Sequence, residues 1–498
     1  MNNSTARLAA VLAITSLAGG CAVGPDFKRP PPPEVRGYTA RPLPASIGAA
    51  GGSAGPVQHL VPGMDISAQW WTLFHSPPLN HLVERALKAN PSLQAAQATL
   101  RQAQENAYAA EGALLPAVNA NASATRMQVR GAQFGLPASP GSLFTVYNAS
   151  VSVSYGLDIF GAARRTVEVL QAEAEFERFQ LEGAYITLAA NVVTTAVQEA
   201  SLRAQIAATR DIIDVQSQQL GLLERQLNVG AVSGSSVLAQ RTALAQTRAA
   251  LPLLEKQLAL LRNQLAALAG SFPSEAELDQ FDLSTLELPQ DLPVSLPSRL
   301  VEQRPDVRAS ESLLHAASAG IGVATANMLP QFTISGGAGS VATTAGSLFK
   351  PGSGIWNLGA SLAQPLFRGG ALKHERRAAV AAYDGAAAQY RSVVLSAFQD
   401  VANVLDALQL DAGILQAQTL AAQSATESLD IARKQYQAGA ANYLALLNAQ
   451  QAYQQTVIAL AQARAVRYAD TAALFQALGG GWWNREQAQA ASQPGAGK

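Results

Sequence analysis

From Pro140 to Pro252, and again from Pro365 to Pro494, the chain contains no proline. A proline inside a helix removes a hydrogen bond and clashes with the preceding turn. Runs this long therefore permit helices well beyond the three turns usual in globular proteins. The stretches 164–228 and 371–437 read as helices of about 65 residues, each on the order of 100 Å long at 1.5 Å per residue. Apolar residues recur at heptad-like spacing, as at Ile213, Leu220, Leu223 and Leu227. Such helices need neighbours to bury their stripe, so coiled-coil pairing is expected.

The two long runs belong to an internal repeat. Asn90-Pro91-Ser92-Leu93 opens a helical pattern that closes at Leu115-Pro116, and Arg304-Pro305-Asp306-Val307 opens another that closes at Leu329-Pro330, an offset of 214. Gln226 to Gly230 is matched by Gln435 to Gly439 at an offset of 209. About forty helix-favouring residues follow each glycine, ending at Gly270 and Gly479. One ancestral unit, duplicated, accounts for this order. The expected layout is a signal peptide at 1–20, a linker at 21–65, a first repeat at 66–289, a second at 290–480 and a tail at 481–498. Shorter helices than the 164–228 and 371–437 pair are predicted at 233–269 and 442–478.

Between the short and long helices of each repeat, apolar and polar residues alternate. Val118 to Thr125 does so strictly, Val151, Val153 and Tyr155 alternate with serines, and Trp356, Leu358, Ala360 and Leu362 form a similar series. Period two predicts strands with one oily and one wet face, at about 117–130, 143–158, 330–343 and 355–367. Gly- and Pro-rich loops around 131–142 and 344–354 join each pair, a pattern that membrane barrels carry. Four strands cannot close a barrel, and eight make one whose interior side chains just fill. Three chains would supply twelve strands, the smallest set that leaves a lumen.

The start of the chain points to export. Arg7 is followed by the apolar run Leu8–Ala18, of signal-peptide length, and then by Ala18, Gly19, Gly20 and Cys21, the only cysteine. These residues match a lipobox, except that Leu17 lies four positions before the cysteine where three is usual. Cys21 is the expected acylation site, and Ala22 after it points to the outer membrane. After residue 20 no stretch was expected to cross a bilayer as a helix, which leaves a β-barrel as the way across. A formal net charge of zero, with 14% charged residues, argues against nucleic-acid binding. The histidines at 59, 75, 81, 315 and 374 lack paired metal spacing. Gly51-Gly-Ser-Ala-Gly55 matches a serine-hydrolase pattern but sits in a Gly/Ala linker without the strand and helix that a nucleophile elbow needs. No phosphate-cradling loop is present, and no enzyme, cofactor or metal site is predicted; the one covalent group expected is lipid on Cys21.

The segments CAVGPDFKRP at 21–30, WWTLFHSPPLNHLVERALKANPSL at 70–93 and YQAGAANYLALLNAQQAY at 436–453 resemble the TolC-like outer-membrane factors. The resemblance covers the mature chain and points to the lipoprotein branch serving resistance-nodulation-division efflux systems. It implies a mixed α/β membrane protein, mainly α: a homotrimer with a twelve-stranded outer-membrane β-barrel, four strands per chain, and a long periplasmic α-helical barrel. It implies as partners a periplasmic adaptor (membrane fusion protein), an inner-membrane pump and outer-membrane lipid. Conduction of drugs or other small molecules is the implied function. A protein-secretion or metal-efflux duct is the alternative, and a periplasmic coiled-coil adaptor the alternative of another class.

The resemblance further places Gly230 and Gly439 at the periplasmic tip, with Ser236 and Tyr443 as adaptor contacts. Gate candidates are Leu444, Leu447, Asn448 and Gln451. Relatives often carry an Asp and an Arg where this chain has Asn448 and Gln451, and an acid at Ser236, so the usual ionic latch is neutral here. Closure is expected to rest on packing of Leu444, Leu446 and Leu447. The charged runs Arg164-Arg165 and Lys373 to Arg377, each at the start of a long helix below the barrel, are expected to be solvated faces near the inner leaflet's headgroups.

Overall fold

A computed structural model describes residues 22–48, 56–130 and 141–485. The expected signal peptide, Cys21, the Ser53 motif and most of the C-terminal tail lie outside these residues. The chain forms two compact units, each assembled from both repeats.

The first unit comprises 22–30, 99–177 and 309–390. Its centre is a fully antiparallel sheet of β3 (Ala117–Val129), β4 (Ser142–Leu157), β6 (Gln331–Ala342) and β7 (Gly354–Ala363), in that order. The β4–β6 ladder joins the two repeats. Register carries the sequence alternation across the sheet: Val118 lies opposite Val153, Val153 opposite Gly336 and Gly336 opposite Leu358. On the other face Asn119, Ser152, Gly337 and Asn357 form the matching row. Val118, Val153, Trp356 and Leu358 are exposed within the single chain. An oily face with nothing over it needs lipid or protein to cover it. The outer edges of β3 and β7 are unpaired within the chain, a row of free backbone donors and acceptors suited to neighbouring copies.

Against this sheet's helical roots lies the segment after Cys21. The Val23 amide donates to the Phe160 carbonyl at 3.0 Å, and Phe27 stacks on His315 at 4.5 Å. Gly24, at φ +102°, sits where a Cβ would fall 2.4 Å from Gly322 Cα. Arg165 donates to Asp26 at 2.7 Å and to Glu168 at 2.6 Å. Arg165 was expected to be solvated; instead it is 5% exposed, because the segment folds over it and supplies an acid.

The second unit comprises 31–98, 178–308 and 391–485 of the described residues. A small sheet pairs β1 (Ser46–Ile47) with β2 (Gln58–Pro62), and β2 in parallel with β5 (Asp291–Val294). Strands of two and four residues, one containing Pro293, give no readable alternation, so this sheet was not foreseen. Buried Arg467 pins it, donating to Gln58 Oε1 at 3.2 Å and to the Pro56 carbonyl at 3.3 Å. Beside it Trp70 stacks on Phe475 at 5.2 Å, and α1 (Pro77–Ala89) buries Leu79, Leu82 and Val83.

The remaining helices repeat in pairs: α2 (Pro91–Glu111) with α6 (Pro305–Ala326), α3 (Ala162–Asn228) with α7 (Ala371–Gln437), and α4 (Gly234–Leu268) with α8 (Tyr443–Ala477); α5 is Pro297–Gln303. Both α3 and α7 have 67 residues, and both α4 and α8 have 35. The α4 helix continues through Pro252. By length and composition one stretch of α7 is apolar enough to cross a membrane, where none was expected.

Candidate gate and docking tip

Within the second unit α3 and α7 end by the same device. At φ +71° Gly230 lets its own amide donate to the Leu227 carbonyl and the Ala231 amide to that of Gln226. Gly439, at φ +70°, does the same with Tyr436 and Gln435. These are Schellman closures, which satisfy the last carbonyls of a helix and favour glycine at the left-handed position. Nothing lies within 4 Å of where a Cβ would stand on either glycine. Each helix then restarts on a polar N-cap. The Ala445 amide donates to Asn442 Oδ1 at 2.9 Å. In the other hairpin the Ser236 amide donates to the Ser233 carbonyl at 3.1 Å, and their hydroxyls lie 3.2 Å apart.

Just inside the turns all four helices meet. Leu223 of α3, Val237 and Ala243 of α4, and Tyr443 and Leu447 of α8 form one buried cluster, with Tyr436 of α7 packed against it. Leu446 joins a second cluster with Leu429, Ala432 and Ala449. Tyr443, expected at an adaptor contact, is only 6% exposed. Its hydroxyl donates to Gln240 Oε1, and burial beside Tyr436 raises its pKa. Gln240 is fully buried and donates in turn to the Gln216 carbonyl at 2.7 Å, so a single amide ties α8, α4 and α3 together. Gln450 donates to Gln219 at 2.6 Å and Tyr436 to Gln226 at 3.3 Å. Sequence reasoning missed this set of buried amides; the available signal was glutamine recurring on the helices' apolar stripe.

The gate candidates divide. Leu447 is buried, whereas Leu444 is 59% exposed within the single chain, so of the three leucines expected to pack in closure only Leu446 and Leu447 are covered inside one chain. Leu444 lies at i with Asn448 at i+4 and Gln451 at i+7, and all three are exposed along one helix face. Helix periodicity explains the split, since Leu446 and Leu447 turn inward where Leu444 turns out. Gln451 also borders a groove of about 510 Å³ with Gln216, Gln246, Gln454, Gln455 and Gln462. The ion pairs on these hairpins, among them Arg241–Glu224 at 2.9 Å, Arg210–Glu255 at 2.7 Å and Lys434–Asp430 at 2.6 Å, do not involve the gate face. Among the described residues no three His, Cys, Asp or Glu side chains gather into a metal-holding group.

A four-stranded sheet with an open oily face, and paired long helical hairpins in duplicate, define a protomer of an oligomeric outer-membrane channel. The outer membrane efflux protein family model matches residues 82–271 and 296–480, once per repeat, and the chain belongs to that family. The chain is 32% identical over 426 residues to the pyoverdine export outer membrane protein OpmQ of Pseudomonas aeruginosa, covering 84% of this chain and 88% of OpmQ. It is 27% identical to the probable outer membrane lipoprotein SilC of Salmonella typhimurium, covering 96% and 99% of the two chains. The solved outer-membrane channel OprN superimposes with a TM-score of 0.83 at 27% identity, over 93% of this chain and all of that one. The fold is that of the trimeric TolC-like channels, each chain giving four strands to a twelve-stranded barrel and long hairpins to an α-helical barrel. The chain is an outer-membrane efflux channel.

Proposed function

We propose that this channel is the passive exit duct of a tripartite pump. A periplasmic adaptor docks on the turns at Gly230 and Gly439, and an inner-membrane resistance-nodulation-division pump supplies the energy. The observation that carries this reading is the tip itself: two open glycine turns stand over an uncharged exposed face of Leu444, Asn448 and Gln451. In the resting trimer that face closes the lumen by apolar contact and amide hydrogen bonds, held in place by the buried Leu446, Leu447 and Tyr443 behind it. Ser236 lies on the first hairpin's opening turn and completes the adaptor surface. Lipid on Cys21 anchors the chain to the outer membrane, a reading supported by the name of SilC. The pump selects cargo, drugs or other small molecules, and the duct admits it.

Susceptibility of a deletion strain to several unrelated dyes and antibiotics tests the reading, with wild type and Cys21→Ala as complements. Sensitisation restored by wild type is the expected result. Unchanged tolerance would move the cargo to an exported metabolite, as the name of OpmQ describes for that protein. Palmitate labelling that is absent from Cys21→Ala and present in wild type checks the anchor.

A further inference from the structure

The strand-to-helix junction occurs twice, at an offset of 209, and its cations are neutralised in one copy and not in the other. The backbones correspond: Gly161 and Gly370 have φ +80° and +83°, and their carbonyls accept from the Arg165 and His374 amides at 2.9 and 3.1 Å. In the first copy every cation has an acid within the chain. Arg164 pairs with Asp158 at 3.2 Å, and Arg165 with Asp26 and Glu168. In the second copy Asp158 is replaced by Phe367 and Glu168 by Arg377, while Lys373 stands for Arg164. Arg368, Lys373, Arg376 and Arg377 are all exposed. Lys373, Arg376 and Arg377 share one face of α7 at i, i+3 and i+4, with Glu375 on the other side. Leu366 and Phe367, immediately before them, are 92% and 88% exposed.

We propose that this junction is a binding site for anionic phospholipid headgroups of the inner leaflet: the cations of Arg368, Lys373, Arg376 and Arg377 take the phosphates, and Leu366 and Phe367 enter the acyl boundary. It rests on β7 lying in the outer membrane. Cations with no acid paired to them among the described residues, beside an uncovered apolar pair at the end of a membrane strand, are complementary to a surface that is anionic above and hydrocarbon below. The first copy, neutralised by Asp26, Asp158 and Glu168, has no such demand.

The test uses the full-length trimer in vesicles of phosphatidylethanolamine with and without phosphatidylglycerol, comparing wild type with Lys373→Gln/Arg376→Gln/Arg377→Gln. Lys350→Gln, a cation in the β6–β7 loop at the other end of these strands, is the control. Trimer bands on unheated gels establish folding. Phosphatidylglycerol retained after detergent washing is expected to fall at least fivefold in the triple variant, since each cation near an anionic surface contributes roughly that factor. It is expected to hold in the control and to fall in wild type as salt rises. Equal retention by the triple variant overturns the proposal. So does loss of its trimer in phosphatidylethanolamine alone, which would assign the cations to a neighbouring subunit, or altered ion selectivity with unchanged lipid retention, which would assign them to the lumen. As a second measurement, added fluorescence from Phe367→Trp should be quenched by brominated phosphatidylglycerol; its persistence would also refute the site.

Discussion

Arg304 donates to the Ala477 carbonyl at 3.0 Å, binding the residue before α6 to the last residue of α8. Asn90 does the same before α2, donating to the Leu268 carbonyl at the end of α4 at 2.9 Å. The duplication has kept the contact and changed the side chain that makes it. Arg304 also pairs with Asp306 at 2.7 Å and Asp400 at 2.9 Å. Asn90→Ala is therefore expected to cost about 1 kcal/mol, and Arg304→Ala, which loses charge-assisted bonds, about 2–3 kcal/mol. Thermal dissociation of the purified trimer should rank the two in that order.

The four helix-ending glycines fall into two classes. A Cβ on Gly270 would lie 2.5 Å from the Ala89 carbonyl oxygen, and one on Gly479 2.4 Å from that of Gln303. Both also have positive φ, +73° and +95°. Alanine at either site combines left-handed strain with a backbone clash, together about 2–5 kcal/mol. At Gly230 and Gly439 only the strain applies, about 1–2 kcal/mol. Melting of the four alanine variants should separate into these pairs; equal losses would refute the role given to the close contacts.

Tyr443→Phe removes the donor that satisfies the fully buried Gln240. An orphaned buried amide oxygen costs about 1–3 kcal/mol, and here the loosened contact joins the two hairpins. Reconstituted trimers carrying the variant should show higher resting conductance. Because the gate face bears no charge, resting conductance per unit of bath conductivity should change little with salt in wild type. Strong salt gating would sink the packing account of closure.

Asp411, on α7, is buried near Asp470 and Arg467 of α8, and its Oδ2 has no hydrogen-bond partner. Burial, then the neighbouring Asp470, raise its pKa from 3.8 to about 7, opposed by Arg467. Between those values the folded chain holds a proton that the unfolded chain has lost. This contribution is complete below pH 3.8 and is lost as pH rises through about 7, with a slope of at most about 1.4 kcal/mol per pH unit. Wild type should lose stability between pH 5.5 and 8 relative to Asp411→Asn. Parallel melting curves for the two across that range would assign the carboxyl an ordinary pKa.

Much of this architecture was legible in the sequence because its signals are local and periodic. Proline-free heptad runs mark α3 and α7, alternation marks β3, β4, β6 and β7, and the two offsets reveal the duplication. What the tertiary structure decided depended on which residues meet. The hydroxyl of Tyr443 at the tip is drawn inward to Gln240, and Leu444 lies on the exposed face shared with Asn448 and Gln451 while Leu446 and Leu447 are buried. Arg165 reads as a solvated cation until Asp26, 139 residues earlier, closes over it. Periodicity fixes where a side chain points around its own helix or strand. The partner it finds there comes from a distant part of the chain, and only packing brings the two together.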